Sequence, residues 1–137
     1  MEKVKVETTV NVDAKKAWES FTEPRHIMKW NSASDDWHCP ASTNDVRPGG
    51  KFSATMAARD GSMSFDFEGV YDEVDPGKSF SYTMADGRRC EVTFSESDGK
   101  TTVTEIFDAE NMNPVEMQRE GWQSILEKYK KYTEENL

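Results

Sequence analysis

The segment Pro114 to Glu135, PVEMQREGWQSILEKYKKYTEE, sets the architecture. Nothing in it breaks a helix except Gly121. At ~1.5 Å per residue it makes a rod roughly 33 Å long, more than twice the ~14 Å radius of gyration expected for a chain of this size. Such a helix crosses the whole domain. Val115, Trp122, Ile125, Leu126 and Tyr129 form its apolar stripe. The pair Asn113-Pro114 predicts the start, with Asn as cap, Pro at the first helical position and Glu116 completing a capping-box-like pair. Gly121 costs about 1 kcal/mol against Ala in a helix interior, which marks it as a point of close approach to the sheet or to a ligand. Glu134-Glu135 sit at the wrong end for the helix dipole, so the last turn is expected to fray.

Upstream of the helix the period changes from helical to two. Lys51 to Ala58 reads as a strand with Phe52, Ala54 and Met56 on one face. Met63 to Val74 places Phe65, Phe67, Gly69 and Tyr71 on one side and Asp66 and Glu68 on the other. Gly69 is the expected bulge or bend. Phe80 to Met84 groups Phe80, Tyr82 and Met84; the next strand groups Cys90, Val92 and Phe94; Thr101 to Ala109 is the last. Asp60-Gly61, Asp86-Gly87 and Asp98-Gly99 are hairpin signals, because a type I′ turn needs positive φ. Asp75-Pro76-Gly77-Lys78 is a further turn. Alternation this regular predicts an antiparallel sheet with one dry face, which the final helix covers.

At the N-terminus, Lys3 to Val12 alternates through Val4, Val6, Val10 and Val12 as a first strand. Asp13 caps a short helix carrying Ala14, Ala17, Trp18 and Phe21, which ends at Thr22-Glu23-Pro24. A second short helix is expected over Pro24 to Met28. Trp30 to Pro40 shows neither period and reads as an ordered loop with a turn of helix, either a lid over one end of a pocket or a cover for the core. The first strand is the obvious edge for a homodimer, although its Lys and Glu residues also guard against edge pairing. Monomer and homodimer both remain open.

The 137 residues fit one domain, spanning 1–137, with no repeat, linker or low-complexity tract. Lys and Arg number 17 against 26 Asp and Glu, a formal charge of −9. That balance excludes nucleic acid as a partner, since the phosphate backbone requires a basic footprint. It also disfavours an anionic membrane surface, and no apolar run is long enough for membrane insertion. Cys39 and Cys90 lie far apart with no CxxC, which argues against a disulfide scaffold or a zinc ribbon and for free thiols in the cytoplasm. The N-terminus lacks the apolar core of a signal peptide. His26 and His38 share no ligand spacing and no HExxH is present, so neither metal nor cofactor is expected. Arg47-Pro48-Gly49-Gly50-Lys51 precedes a strand rather than a helix, so it is a turn and not a phosphate loop.

Several segments together resemble a known family. They are Val12-Asp13-Ala14 with Trp18, Phe21, Thr22, Pro24 and Trp30; Arg47 to Phe52; Gly69-Val70-Tyr71-Asp72-Glu73-Val74-Asp75-Pro76; and Gly121-Trp122. In this order they resemble the START-related helix-grip (SRPBCC) superfamily, and within it the group named after activators of the heat-shock protein 90 ATPase. The resemblance spans essentially the whole chain. It implies an α+β helix-grip fold: a curved antiparallel sheet wrapped around a long C-terminal helix, with two short helices after strand 1. The superfamily includes ligand carriers, hormone receptors and polyketide cyclases. A eukaryotic chaperone activator is larger and carries a separate N-terminal domain, so chaperone activation does not carry over with the name.

In similar proteins the sheet curls away from the helix and leaves a pocket for an apolar ligand. The candidate lining follows from strand parity: Trp30, Trp37, Phe52, Met56, Phe65, Phe67, Tyr71, Tyr82, Met84, Phe94, Glu105, Phe107, Trp122 and Leu126. The same residues would serve equally as a packed core. Met56, Met63, Met84 and Met117 suit an adaptable lining or an irregular core. Glu105 stands out. If Val103 and Phe107 point inward so does Glu105, a buried carboxylate available to fix a ligand or act as general base; if Ile106 marks the inner face, Glu105 is solvated. Cys90 reads as a small buried hydrophobe. The leading expectation is a protein that binds an apolar or amphipathic small molecule and is not an enzyme. The alternatives are a chaperone-interacting module and a cyclase- or hydratase-type enzyme using Glu105 or Tyr82.

Overall fold

A computed structural model describes residues 2–137. The elements run β1 (Lys3–Val10), α1 (Ala14–Thr22), α2 (Pro24–Trp30), β2 (Trp37–Asn44), β3 (Lys51–Ala58), β4 (Ser64–Asp75), β5 (Ser79–Met84), β6 (Arg89–Ser97), β7 (Lys100–Asp108) and α3 (Val115–Asn136). The strands form one antiparallel sheet in the order β1-β7-β6-β5-β4-β3-β2, with β1 returning beside β7. A curled sheet, two short helices after the first strand and a long closing helix make this the expected α+β helix-grip plan.

Parity places the inner face as read. Val4, Val6 and Val10 of β1 are buried, as are Cys90, Val92 and Phe94 of β6 and Val103, Glu105 and Phe107 of β7. The register aligns them in rows. One row runs Phe80, Val92, Glu105, Val6 across β5, β6, β7 and β1; its neighbour runs Tyr82, Cys90, Phe107, Val4.

Four local expectations need correction. The segment expected as a loop over 30–40 runs into an edge strand, β2, from Trp37 onward. Its period is broken by Pro40 and by a register shift between His38 and Ala41, which hides it from a pattern search. The helix before it continues to Trp30 rather than ending at Met28. The bulge in β4 falls between Tyr71 and Glu73, not at Gly69, and it turns Val74 to the side of Tyr71. Gly69 serves packing instead. A Cβ there would stand 2.6 Å from the Phe52 ring and 2.9 Å from the Thr83 carbonyl, so its bare Cα makes room for the ring. Among the Asp-Gly hairpins only Asp98-Gly99 has positive φ at both residues, 55° and 77°, the requirement for a two-residue type I′ turn.

The start of α3 also differs. Pro114 takes the cap position and no side chain caps the helix. Instead Gln118 reaches back: its Oε1 accepts from the Glu110 amide at 2.9 Å and its Nε2 donates to the Asn113 carbonyl at 2.8 Å. This fastens the connection from β7 to the helix.

The helix does not lie evenly over the sheet. It packs chiefly on β1 and against α1 and α2. Its C-terminal half is held tightly. The Tyr129 hydroxyl donates to the Ala17 carbonyl at 2.7 Å, and the Ser20 and Thr133 hydroxyls pair at 2.7 Å. Phe21 joins Trp30, Phe80, Phe94 and Tyr129 in an aromatic cluster with centroids 5.1–5.8 Å from its own. The N-terminal half of α3 stands away from β3, β4 and β5, and that gap positions the site.

Candidate functional site

The gap is a cavity of about 430 Å³. Its size lies in the range of small-molecule sites. Phe52, Ala54 and Met56 of β3, Phe65, Phe67 and Tyr71 of β4, and Phe80 and Tyr82 of β5 form the sheet wall. Met117, Gly121, Trp122 and Ile125 of α3 form the opposite wall, and Phe21, Ile27 and Trp30 close one end. Phe65 and Met117 line the cavity yet are 53% and 59% exposed, so they mark its mouth.

The walls are ordered by aromatic packing. The Phe52 ring sits edge-on to Tyr82 at 4.8 Å, over Gly69. Trp122 stacks on Phe107 with centroids 3.9 Å apart and planes 10° apart, and meets Phe67 at 6.2 Å. A Cβ on Gly121 would meet nothing within 4 Å. This corrects the expectation of close approach to the sheet: the glycine borders open space.

Polar groups line it too, from Ser42, Thr43 and Asn44 of β2 to Arg88 and Glu110. The Tyr71 hydroxyl donates to Asn44 Oδ1 at 2.6 Å, and Asn44 Nδ2 donates to the Thr22 carbonyl at 2.6 Å, tying β2 to β4 and α1. Burial pushes the Tyr71 phenol up to about 12. Arg88 lines the cavity with its guanidinium engaged: Nε donates to Asp86 at 2.7 Å and a terminal nitrogen to the Asp108 carbonyl at 3.3 Å. Glu110 accepts from the Asn113 side chain.

Glu105 is the exception. It projects into the cavity from β7, flanked in its row by Val92 and Val6. It is 8% exposed, and burial alone acts on its carboxyl group: among the described residues no hydrogen-bond or ionic partner reaches it. Burial raises its pKa from 4.5 to about 8. Burial first, and then the adjacent Glu105, also hold the Cys90 thiol well above its ordinary range. That makes Cys90 a poor nucleophile.

The structure brings nine of the fourteen residues read from parity to the cavity: Trp30, Phe52, Met56, Phe65, Phe67, Tyr71, Tyr82, Glu105 and Trp122. It does not bring Trp37, Met84, Phe94, Phe107 or Leu126, and the reading of these five as lining is corrected. Trp37 stands behind Phe65, ring centroids 6.0 Å apart, on the edge strand. Met84 is buried beside Gly69. Phe94 lies beneath Trp18 and Phe21. Phe107 is covered by Trp122, and Leu126 faces the core at 1% exposure. Parity told which side of the sheet each residue occupies, not whether another side chain covers it. Phe21, Phe80, Asn44 and Arg88 were missed. Phe80 shares the parity of Tyr82 and was readable; Asn44 lies on the strand that the pattern hides.

Among the described residues no group of three or more His, Cys, Asp and Glu is arranged to hold a metal. His26 Nδ1 meets the Tyr132 hydroxyl at 2.6 Å, and burial lowers its pKa. No helix among the described residues is long and apolar enough to cross a membrane.

The family model described as activator of Hsp90 ATPase homolog 1-like protein matches residues 11–134. The chain belongs to this family. A solution structure of an AHSA1-like protein from Aeromonas hydrophila is 39% identical, with a TM-score of 0.92 over 98% of this chain and 93% of that one. A solution structure from Cytophaga hutchinsonii is 50% identical, with a TM-score of 0.84 and the same coverage of 98% and 93%. A crystal structure from Chromobacterium violaceum, at 19% identity, shares the fold with a TM-score of 0.87 over 98% and 99% of the two chains. A comparison with curated proteins returned no match. Membership of the activator of Hsp90 ATPase homolog 1-like family thus rests on nearly the whole chain. It accounts for the helix-grip architecture and leaves the role of the cavity to its side chains.

Proposed function

We propose that the protein binds an apolar or amphipathic small molecule in the cavity between the sheet and the N-terminal half of α3. The supporting observation is the cavity of about 430 Å³, walled by aromatic and Met side chains and reached through Phe65 and Met117. A chain that needed only a core would gain by closing this gap, because buried apolar surface stabilises at about 25 cal/mol per Å². The two buried, unpaired thiols suit a reducing, cytoplasmic setting. Family kinship also makes a chaperone a candidate partner; an unchanged chaperone ATPase rate in the presence of this protein would remove that reading.

Native mass spectrometry of the purified protein tests the binding reading, paired with Gly121→Phe. The variant places a ring where the structure has open space. Wild type is expected to carry a discrete adduct that releases on denaturation, and the variant to lose it while remaining folded. An adduct retained in full by Gly121→Phe would place the ligand elsewhere.

A further inference from the structure

Glu105 is the one acid on an inner sheet face of otherwise apolar or uncharged residues. Its row-mates are Phe80, Val92 and Val6, and the neighbouring row is Tyr82, Cys90, Phe107 and Val4. A carboxyl group so placed costs stability unless something pairs with it. Among the described residues nothing does, yet the group borders a cavity with an open mouth. The missing partner is therefore sought on the ligand.

Two chemistries satisfy a buried acid: an acceptor that takes its proton, or a cation that pairs with its carboxylate. The surroundings favour the cation. The rings of Tyr82 and Trp122 border the same space, and aromatic faces attract a desolvated ammonium. Trp122 lies on Phe107, two positions along β7 from Glu105. The other ionisable lining groups do not invite an anion. Arg88 is already held by Asp86 and the Asp108 carbonyl, and Glu110 is a second acid. The chain as a whole carries −9, a field that draws cations toward it.

We propose that the cavity takes a hydrophobic amine, its ammonium paired with the Glu105 carboxylate and its apolar body against the aromatic walls. This rests on the reading of the cavity as a binding site. The pairing carries a proton signature. The titratable groups facing Glu105 are Tyr82 on β5, Cys90 on β6 and Tyr129 on α3; all are pushed upward by burial and stay neutral at physiological pH. β1 offers only Val6. The empty protein holds Glu105 protonated below about pH 8. Amine binding then releases that proton, so affinity rises with pH until Glu105 is already ionised, then levels off.

The test is an amide NMR titration with 4-phenylbutylamine, 4-phenylbutan-1-ol and 4-phenylbutanoate, which share a body and differ in charge. An alkylamine stays protonated across about pH 6 to 8.5. At the upper end the amine is expected to bind about tenfold or more tighter than the alcohol. Its affinity should weaken about tenfold per pH unit below about pH 8, with no such slope for the alcohol. Glu105→Gln should abolish both the preference and the slope, its own spectrum reporting that it is folded. Equal binding of amine and alcohol, or tighter binding of the carboxylate, overturns the amine assignment and leaves the cavity as a site for another ligand. No shift at the cavity residues with any of the three overturns the amine assignment and counts against the site reading for ligands of this size.

Discussion

Glu105 shows how one residue sets a pH dependence. Its pKa is 4.5 when exposed and about 8 when folded. Between those values the folded state holds a proton that the unfolded chain has released, so stability falls as pH rises, by about 1.4 kcal/mol per pH unit, and is flat above about pH 8. Glu105→Gln removes the dependence. Urea unfolding of both proteins is expected to show the variant more stable by several kcal/mol near pH 8, with the gap closing toward about pH 5. An unchanged gap would mean that the carboxylate finds a partner in solution. Gly69 makes the opposite point, since its value lies in what it lacks. Gly69→Ala is expected to cost about 1–3 kcal/mol, because its Cβ would enter the Phe52 ring and crowd the Thr83 carbonyl. Glu105 was legible in the sequence as a conditional: inward if Val103 and Phe107 are inward. The missing partner was not legible, because a partner comes from whatever other strands and helices bring near.

At the scale of elements, α3 has two halves with different roles. The C-terminal half anchors the helix through Leu126, Tyr129 and Thr133. Leu126→Ala is expected to cost about 2–5 kcal/mol, as for other fully buried leucines, measured by denaturant unfolding. The N-terminal half faces the cavity, where Gly121 interrupts a run of better helix formers. Gly121→Ala should raise stability by up to about 1 kcal/mol in the same measurement, since the new methyl meets no neighbour and the helix gains intrinsic preference. The start and length of α3 were readable within a residue or two, because helical spacing and the absence of breakers are local. Its cap was not: Gln118 fastens the first turn by bonds to Glu110 and Asn113 that a capping pattern does not contain. β2 escaped for a related reason, since an edge strand with a proline and a register shift keeps no period.

Taken whole, the molecule is a sheet gripping one end of a helix and releasing the other. A ligand that binds the folded protein alone should stabilise it by about 2.7 kcal/mol at a hundredfold excess over Kd, visible as a raised Tm in wild type and reduced in Gly121→Phe. Local pattern carried the class of fold and the parity of most regular strands, with Glu105 inward on condition that Val103 and Phe107 are. Those follow from the periods of two and 3.6, which are properties of the local backbone. The folded arrangement alone shows that Phe107 and Phe94 are covered while Phe52 and Tyr82 are open, that Gly121 borders space rather than the sheet, and that Arg88 is already paired. Coverage, space and pairing depend on how the helix leans across the sheet. That lean is set by contacts between residues about a hundred positions apart, such as Tyr129 with Ala17 and Thr133 with Ser20.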